Sequence, residues 1–130
     1  MNQHKTLTLE ITSTVDRHTL QFGTYDDSSP MHTMLAALGM CSLMTLHGIC
    51  QRQRQHVIAY RAELSAQQRT THPQILQHIQ LHFVVIGHHL DLTRLTHAVE
   101  LLPKYCPVHA MMAHASTITH SLTIQEKEAR

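Results

Sequence analysis

Three cysteines and fourteen histidines are the residues of this chain with the most obvious chemical potential. Cys41 lies in the middle of an apolar run, SSPMHTMLAALGMCSLMTLHGIC, that begins at Ser28 and ends at Cys50. Cys106 lies in KYCPV. The thiolate is the nucleophilic form of cysteine, and it forms at neutral pH only beside a cation, a metal or a helix N-terminus. KYCP places a thiol at the start of an expected helix, just before proline, where unpaired N–H groups and the helix dipole favour the anion. A plain capping role fits the same residues. Cys41 sits roughly three turns into its own helix, beyond the reach of that helix's dipole. Alone it reads as a small buried apolar side chain, the usual fate of a free cysteine on an apolar helix. Cys50, beside QRQRQ, is expected to be incidental.

The histidines raise the question of a metal. Cys106, His109 and His114 are close in sequence, and His78 and His82 share one face of an expected strand. Neither set has the paired, tightly spaced ligands of a zinc signature. No metal site and no cofactor is therefore expected. A glycine-rich phosphate loop, a nucleophile elbow and an HExxH motif are also absent from the sequence. Asp16, Asp26 and Asp27 fall in expected turns and read as solvated.

These residues need a scaffold, and 130 residues with 42% hydrophobic content suit one domain spanning 1–130. Aromatics are scarce and Trp is absent, so the core must rest on aliphatic side chains and seven methionines. A formal net charge of +1 gives no electrostatic case for nucleic acid or an acidic membrane surface. Residues 1–25 show no apolar signal-peptide region, and the cysteine count is odd. A reducing cytoplasm is the expected compartment.

Ser29 followed by Pro30 opens the apolar run as a helix cap and first helical residue. Met31, Met34, Leu35, Leu38, Met40, Leu43, Met44, Leu46 and Ile49 surround the cylinder, which predicts a central helix buried on several sides. His32, Ser42, Thr45 and His47 interrupt the run too often for a membrane span. Leu7, Leu9 and Ile11 alternate with polar residues in a first strand, and Leu20 and Phe22 mark its return. Ile58, Tyr60, Ala62 and Leu64 form the inner face of a third strand. Ile75, Ile79, Leu81, Phe83 and Val85 do the same for a fourth, ending at Gly87. Asp91 caps a helix carrying Leu92, Leu95, Val99 and Leu102, stopped by Pro103. Cys106-Pro107 opens another with Val108, Met111, Met112 and Ala115 inward, and Ile118, His120, Leu122 and Ile124 close the chain as a strand. The order β-β-α-β-β-α-α-β predicts an α+β fold with a largely antiparallel sheet.

A Ser-Pro-led helix reading LAALGMC, a strand pair, KYCPV and the closing ITHSLTI together resemble the OsmC/Ohr family. The resemblance covers about Ser28 to Ile124. HIQLHFVVIG, KYCPV and TITHS are similar in particular to its YhfA-like branch. The resemblance implies an OsmC-like fold built as an intertwined homodimer, with sites between subunits near the helix thiol. It implies an oxidative-stress function in which Cys41 attacks an organic hydroperoxide and Cys106 resolves the resulting sulfenic acid as a disulfide. A dithiol or lipoyl-type reductant would reopen that bond.

Family peroxidases activate the thiol with an N-terminal arginine held by a glutamate near the start of the core helix. Arg17 is the arginine available before that helix here. Met31 and His32 stand near the position of the glutamate, and no Asp or Glu lies between Pro30 and Cys41. The rival reading is a binding protein without turnover. Its interface pocket of Met31, His32, Met34, Met111 and Met112 would hold a small apolar or thiol-reactive ligand.

Overall fold

A computed structural model describes residues 4–25 and 29–128. Ser28, Asp26 and Asp27, which the sequence places in the loop ahead of the core helix, lie outside the described residues. Strands β1 (His4–Asp16) and β2 (Thr19–Phe22) form a hairpin that turns at Arg17-His18. Helix α1 (Pro30–Arg52) follows, then β3 (His56–Arg69) and β4 (Leu76–His88). Three helices come next: α2 (Leu92–Glu100), α3 (Leu102–Tyr105) and α4 (Pro107–Met112). Strand β5 (Thr117–Glu126) completes the order.

The sheet runs β2-β1-β3-β4-β5. Every neighbouring pair is antiparallel except β4 and β5, which are parallel. A tight hairpin can join only antiparallel strands, and the helical crossover from α2 to α4 lets β5 return in the same direction as β4. The fold is α+β with a mixed, mostly antiparallel sheet, in line with the sequence. The helical segment has one more piece than expected. Pro103 not only ends α2 but also occupies the first turn of α3, where its missing N–H costs nothing.

The Ser29 hydroxyl accepts the His32 N–H at 3.2 Å and starts α1 as the sequence expects. Leu35, Leu38, Leu43 and Leu46 recur at helical spacing and are fully buried in one core with Ile11, Leu64, Leu81 and Phe83 of the sheet. Each such leucine contributes about 1.5–3 kcal/mol relative to exposure. Gly39 faces Leu64 and Ile11, and a Cβ there would press on both side chains. The absence of a side chain lets α1 approach the sheet closely.

The helix is not enclosed on all sides within one chain. Met34 and Met44 are 45% and 60% exposed, and Ala37 is exposed with them. Cys41, Thr45 and Gly48 are half-buried along the same stripe. The helix is long and apolar enough by composition to cross a membrane, yet its leucine face is sealed against the sheet.

Two strand faces shift by one residue from the simple alternation. A register break between Val57 and Ala59 turns Val57 rather than Ile58 inward. The break at Gln67/Gln68 likewise buries Leu76 instead of Ile75. A single bulged residue reverses which side chains reach the core. Leu92 stays exposed at the start of α2, while Ala98 joins Leu95 and Val99 inside.

Candidate thiol site

Cys106 sits at the junction of α3 and α4 with extended backbone angles. Its N–H donates to the Leu102 carbonyl at 2.8 Å, closing α3, and its own carbonyl accepts from Ala110 at 3.0 Å, opening α4. Both backbone groups are thus committed to helices, and the side chain is fully buried. The Ser42 hydroxyl lies 3.9 Å from its sulfur. Ser42 follows Cys41 on α1, so α1 meets α3 and α4 where both cysteines reside.

Cys41 is the half-buried member of the pair, and its thiol lies near enough to that of Cys106 for each to influence the other. Burial pushes the Cys41 thiol above its ordinary range. The Val108 backbone and the Thr45 side chain act the other way, while the neighbouring Cys106 adds to the rise. Val108 belongs to the first turn of α4, where N–H groups have no helical partner. The sequence assigns those donors to Cys106, but the Cys106 side chain makes no cap hydrogen bond. The Val108 backbone in that turn instead favours the thiolate of Cys41.

Behind Cys106, one turn along α4, His109 is 4% exposed and its Nε2 lies 3.0 Å from Nε2 of His120 on β5. One ring donates and the other accepts. The rings are nearly parallel, 13° apart with centroids 5.0 Å apart, and His120 stacks in turn on Phe83. Burial lowers the basicity of both imidazoles, and the mutual proximity lowers that of His120 further. Two neutral rings are the stable state of this pair.

The inward face of α4 is therefore His109 with Val108 and Met112, not Met111, which is 66% exposed. Ala115, expected inside, is exposed beyond the end of the helix. Of the expected pocket residues, Met31 and Met112 pack on the core while Met34 and Met111 face outward. Within one chain they offer an open apolar surface. The His32 ring bonds the Ser29 hydroxyl at 2.7 Å, about 14 Å along the helix axis from Cys41. Arg17 stands in the β1–β2 turn, whose His18 carbonyl is held by His47 and Gln51 in the last turns of α1. It is not among the groups that act on the Cys41 thiol.

Cys50 stands apart from this pair. It is buried, faces the Tyr60 hydroxyl, and has its thiol pushed up to about 11 by desolvation. Among the described residues no group of three or more His, Cys, Asp or Glu could hold a metal ion. The Cys106, His109 and His114 grouping dissolves because His109 pairs with His120 while His114 is exposed. Thr45, four residues after Cys41, was detectable from helical spacing. The Val108 N–H and the His109–His120 pair depend on long-range packing that no local pattern announces.

The sequence model of the OsmC-like protein family matches residues 23–121. Protein YhfA of Escherichia coli (strain K12) is 38% identical over 97 residues, covering 74% of this chain and 72% of YhfA. A hypothetical protein from Aquifex aeolicus VF5 superposes with a TM-score of 0.74 at 25% identity, over 98% of this chain and 100% of the other. The organic hydroperoxide resistance protein OsmC from Legionella pneumophila shares the fold, with a TM-score of 0.61 at 10% identity over 88% of this chain and 96% of that one. Both the expected family and the likeness to YhfA are borne out. This chain belongs to the OsmC-like protein family.

Proposed function

We propose that the protein is a thiol redox protein that reduces organic hydroperoxides, with Cys41 as the attacking and Cys106 as the resolving thiol. The observation that carries this reading is the packing of α4 on α1, where the Ser42 hydroxyl lies 3.9 Å from the Cys106 sulfur and Cys41 is the next residue on the helix. The Cys41 thiolate attacks the outer peroxide oxygen and the O–O bond breaks, giving a sulfenic acid and, after protonation, an alcohol. The Cys106 thiol then attacks the sulfenic sulfur, forming the disulfide and releasing water. A dithiol or lipoyl-type reductant restores both thiols by exchange. The Val108 and Thr45 donors stabilise the negative charge on sulfur, which burial alone disfavours.

Partial exposure of Cys41 and burial of Cys106 support this division of roles: the attacking thiol meets substrate, the resolving thiol need not. Met34, Met44 and Met111 on the open side fit an apolar hydroperoxide. The same stripe is the surface on which two copies would pair as a homodimer, and three free thiols suit a reducing cytoplasm.

Purified protein supplied with cumene hydroperoxide and a dithiol should consume the peroxide, and Cys41→Ser should not. Equal inertness of the two would sink the peroxidase reading. The raised Cys41 thiol favours one alternative: a protein that binds a small apolar or thiol-reactive ligand on the methionine surface without turnover. Native mass spectrometry would then find a retained ligand.

A further inference from the structure

At the far end of α1 from Ser29, a cavity of about 580 Å³ opens between the β1–β2 turn and the start of β3. Its lining includes Arg17, His18, His47, Gln51, Arg54 and His56, and no Asp or Glu among the described residues. The volume lies within the roughly 300–1,000 Å³ of small-molecule sites.

The backbone at this cavity departs from ordinary sequence choices. Arg17 and His18 have φ of 51° and 72°, so both centre residues of the two-residue hairpin turn are left-handed. Such turns ordinarily use Asn-Gly or a similar pair. Arg54 has φ of 58° just past the end of α1. There the Gln55 N–H bonds the Cys50 carbonyl and the Arg54 N–H bonds the Gln51 carbonyl, both at 3.0 Å. That is a Schellman closure, whose left-handed position is usually glycine. Three strained positions where Gly or Asn is the favoured residue therefore carry Arg, His and Arg, and all three line one cavity.

The turn is also fixed in place. The His18 carbonyl accepts from His47 Nε2 at 3.1 Å and from Gln51 Nε2 at 3.0 Å. Neither the Arg17 nor the Arg54 guanidinium has a hydrogen-bond or ion-pair partner among the described residues. A favourable meeting of Arg54 with the negative end of the α1 dipole would explain a cation near this helix end. It would not explain cations at the hairpin turn opposite.

We propose that this cavity is a binding site for a phosphate-bearing small molecule, with Arg17 and Arg54 as its principal anion ligands. Guanidinium groups pair with phosphate oxygens through two parallel N–H bonds, and two of them on rigid turns from opposite sides suit a phosphoryl group. The His18 and His56 imidazoles supply further polar groups around it.

Calorimetric titration of the full-length protein with inorganic phosphate and pyrophosphate at low ionic strength tests this. One site per chain is expected, with pyrophosphate the tighter ligand. Arg54→Gly should weaken binding at least tenfold without lowering Tm, because glycine relieves the left-handed strain. Arg17→Gly should weaken it similarly. Absence of phosphate and pyrophosphate binding in the wild type, or unchanged affinity in Arg54→Gly, would overturn the proposal. Equal affinity for acetate or succinate would overturn the phosphate assignment.

Discussion

The Ser42 hydroxyl, next to Cys41 on α1, lies 3.9 Å from the sulfur of Cys106, the cap of α4. The start of a short helix is thus brought against the middle of α1, with a second thiol near the first. The Val108 backbone in that first turn favours the Cys41 thiolate, an influence that its own helix cannot supply.

The Thr45 side chain is the other group that favours the Cys41 thiolate. Thr45→Val keeps the shape and removes the hydroxyl, so the thiol should rise further. Alkylation of Cys41 at pH 8 is expected to slow by about tenfold, the usual effect of losing a hydrogen bond to a charged group. In the wild type the alkylation rate should still be climbing above the ordinary thiol value of about 8.5, because burial raises this thiol. A plateau below pH 8 would show that another group activates it.

Stability should fall at both ends of the pH scale. His47, His109 and His120 have lowered folded-state basicity because burial penalises the cation. Their stabilising contribution is present above the unfolded value of about 6.5 and is lost as pH falls below it. Cys50 behaves oppositely. Burial raises it to about 11, so its contribution is full below the unfolded value of about 8.5 and fades toward pH 11. Urea midpoints measured from pH 5 to pH 10.5 should trace this dome. His109→Phe with His120→Leu should flatten the acid limb, and Cys50→Val the alkaline one.

The fold was largely legible because its period-two and helical patterns agree with burial. Ser29 and Asp91 cap their helices as their positions imply, each accepting an N–H three residues on. What local pattern could not give was anything set by a bulge or a crossover. Ile58 and Ile75 lie beside register breaks, so Val57 and Leu76 take the inner positions. His109 was not among the residues expected inward on this helix, and it is inside because α4 is a single short helix whose His109 ring meets His120 of β5. In the site, the thiol pair was legible from its two motifs, but the donor to Cys41 is a backbone group and leaves no mark in residue identity.

Gly87 reports on one of those bulges. A Cβ there would collide with the His56 carbonyl and the Val57 backbone across the β3–β4 pair. Gly87→Ala should destabilise by about 1–3 kcal/mol or more, since backbone rather than a flexible side chain must move. A thermal unfolding midpoint equal to wild type would mean the strands separate there more freely than their register indicates.

Met44 projects from the open stripe of α1 at 60% exposure. If that stripe pairs two copies, Met44→Glu should convert the dimer to monomer in sedimentation velocity, because an unpaired carboxylate would be buried at the interface. A monomeric wild type, or a mutant dimer of unchanged strength, would place the interface elsewhere.

Treating reduced protein with one equivalent of cumene hydroperoxide and locating the oxidised residues by peptide mass spectrometry tests the two-thiol mechanism. A Cys41–Cys106 disulfide is expected, with loss of two hydrogens from the intact mass, and a persistent Cys41 sulfenic acid in Cys106→Ser. Unchanged thiols, or oxidation that leaves Cys41 untouched, would contradict it.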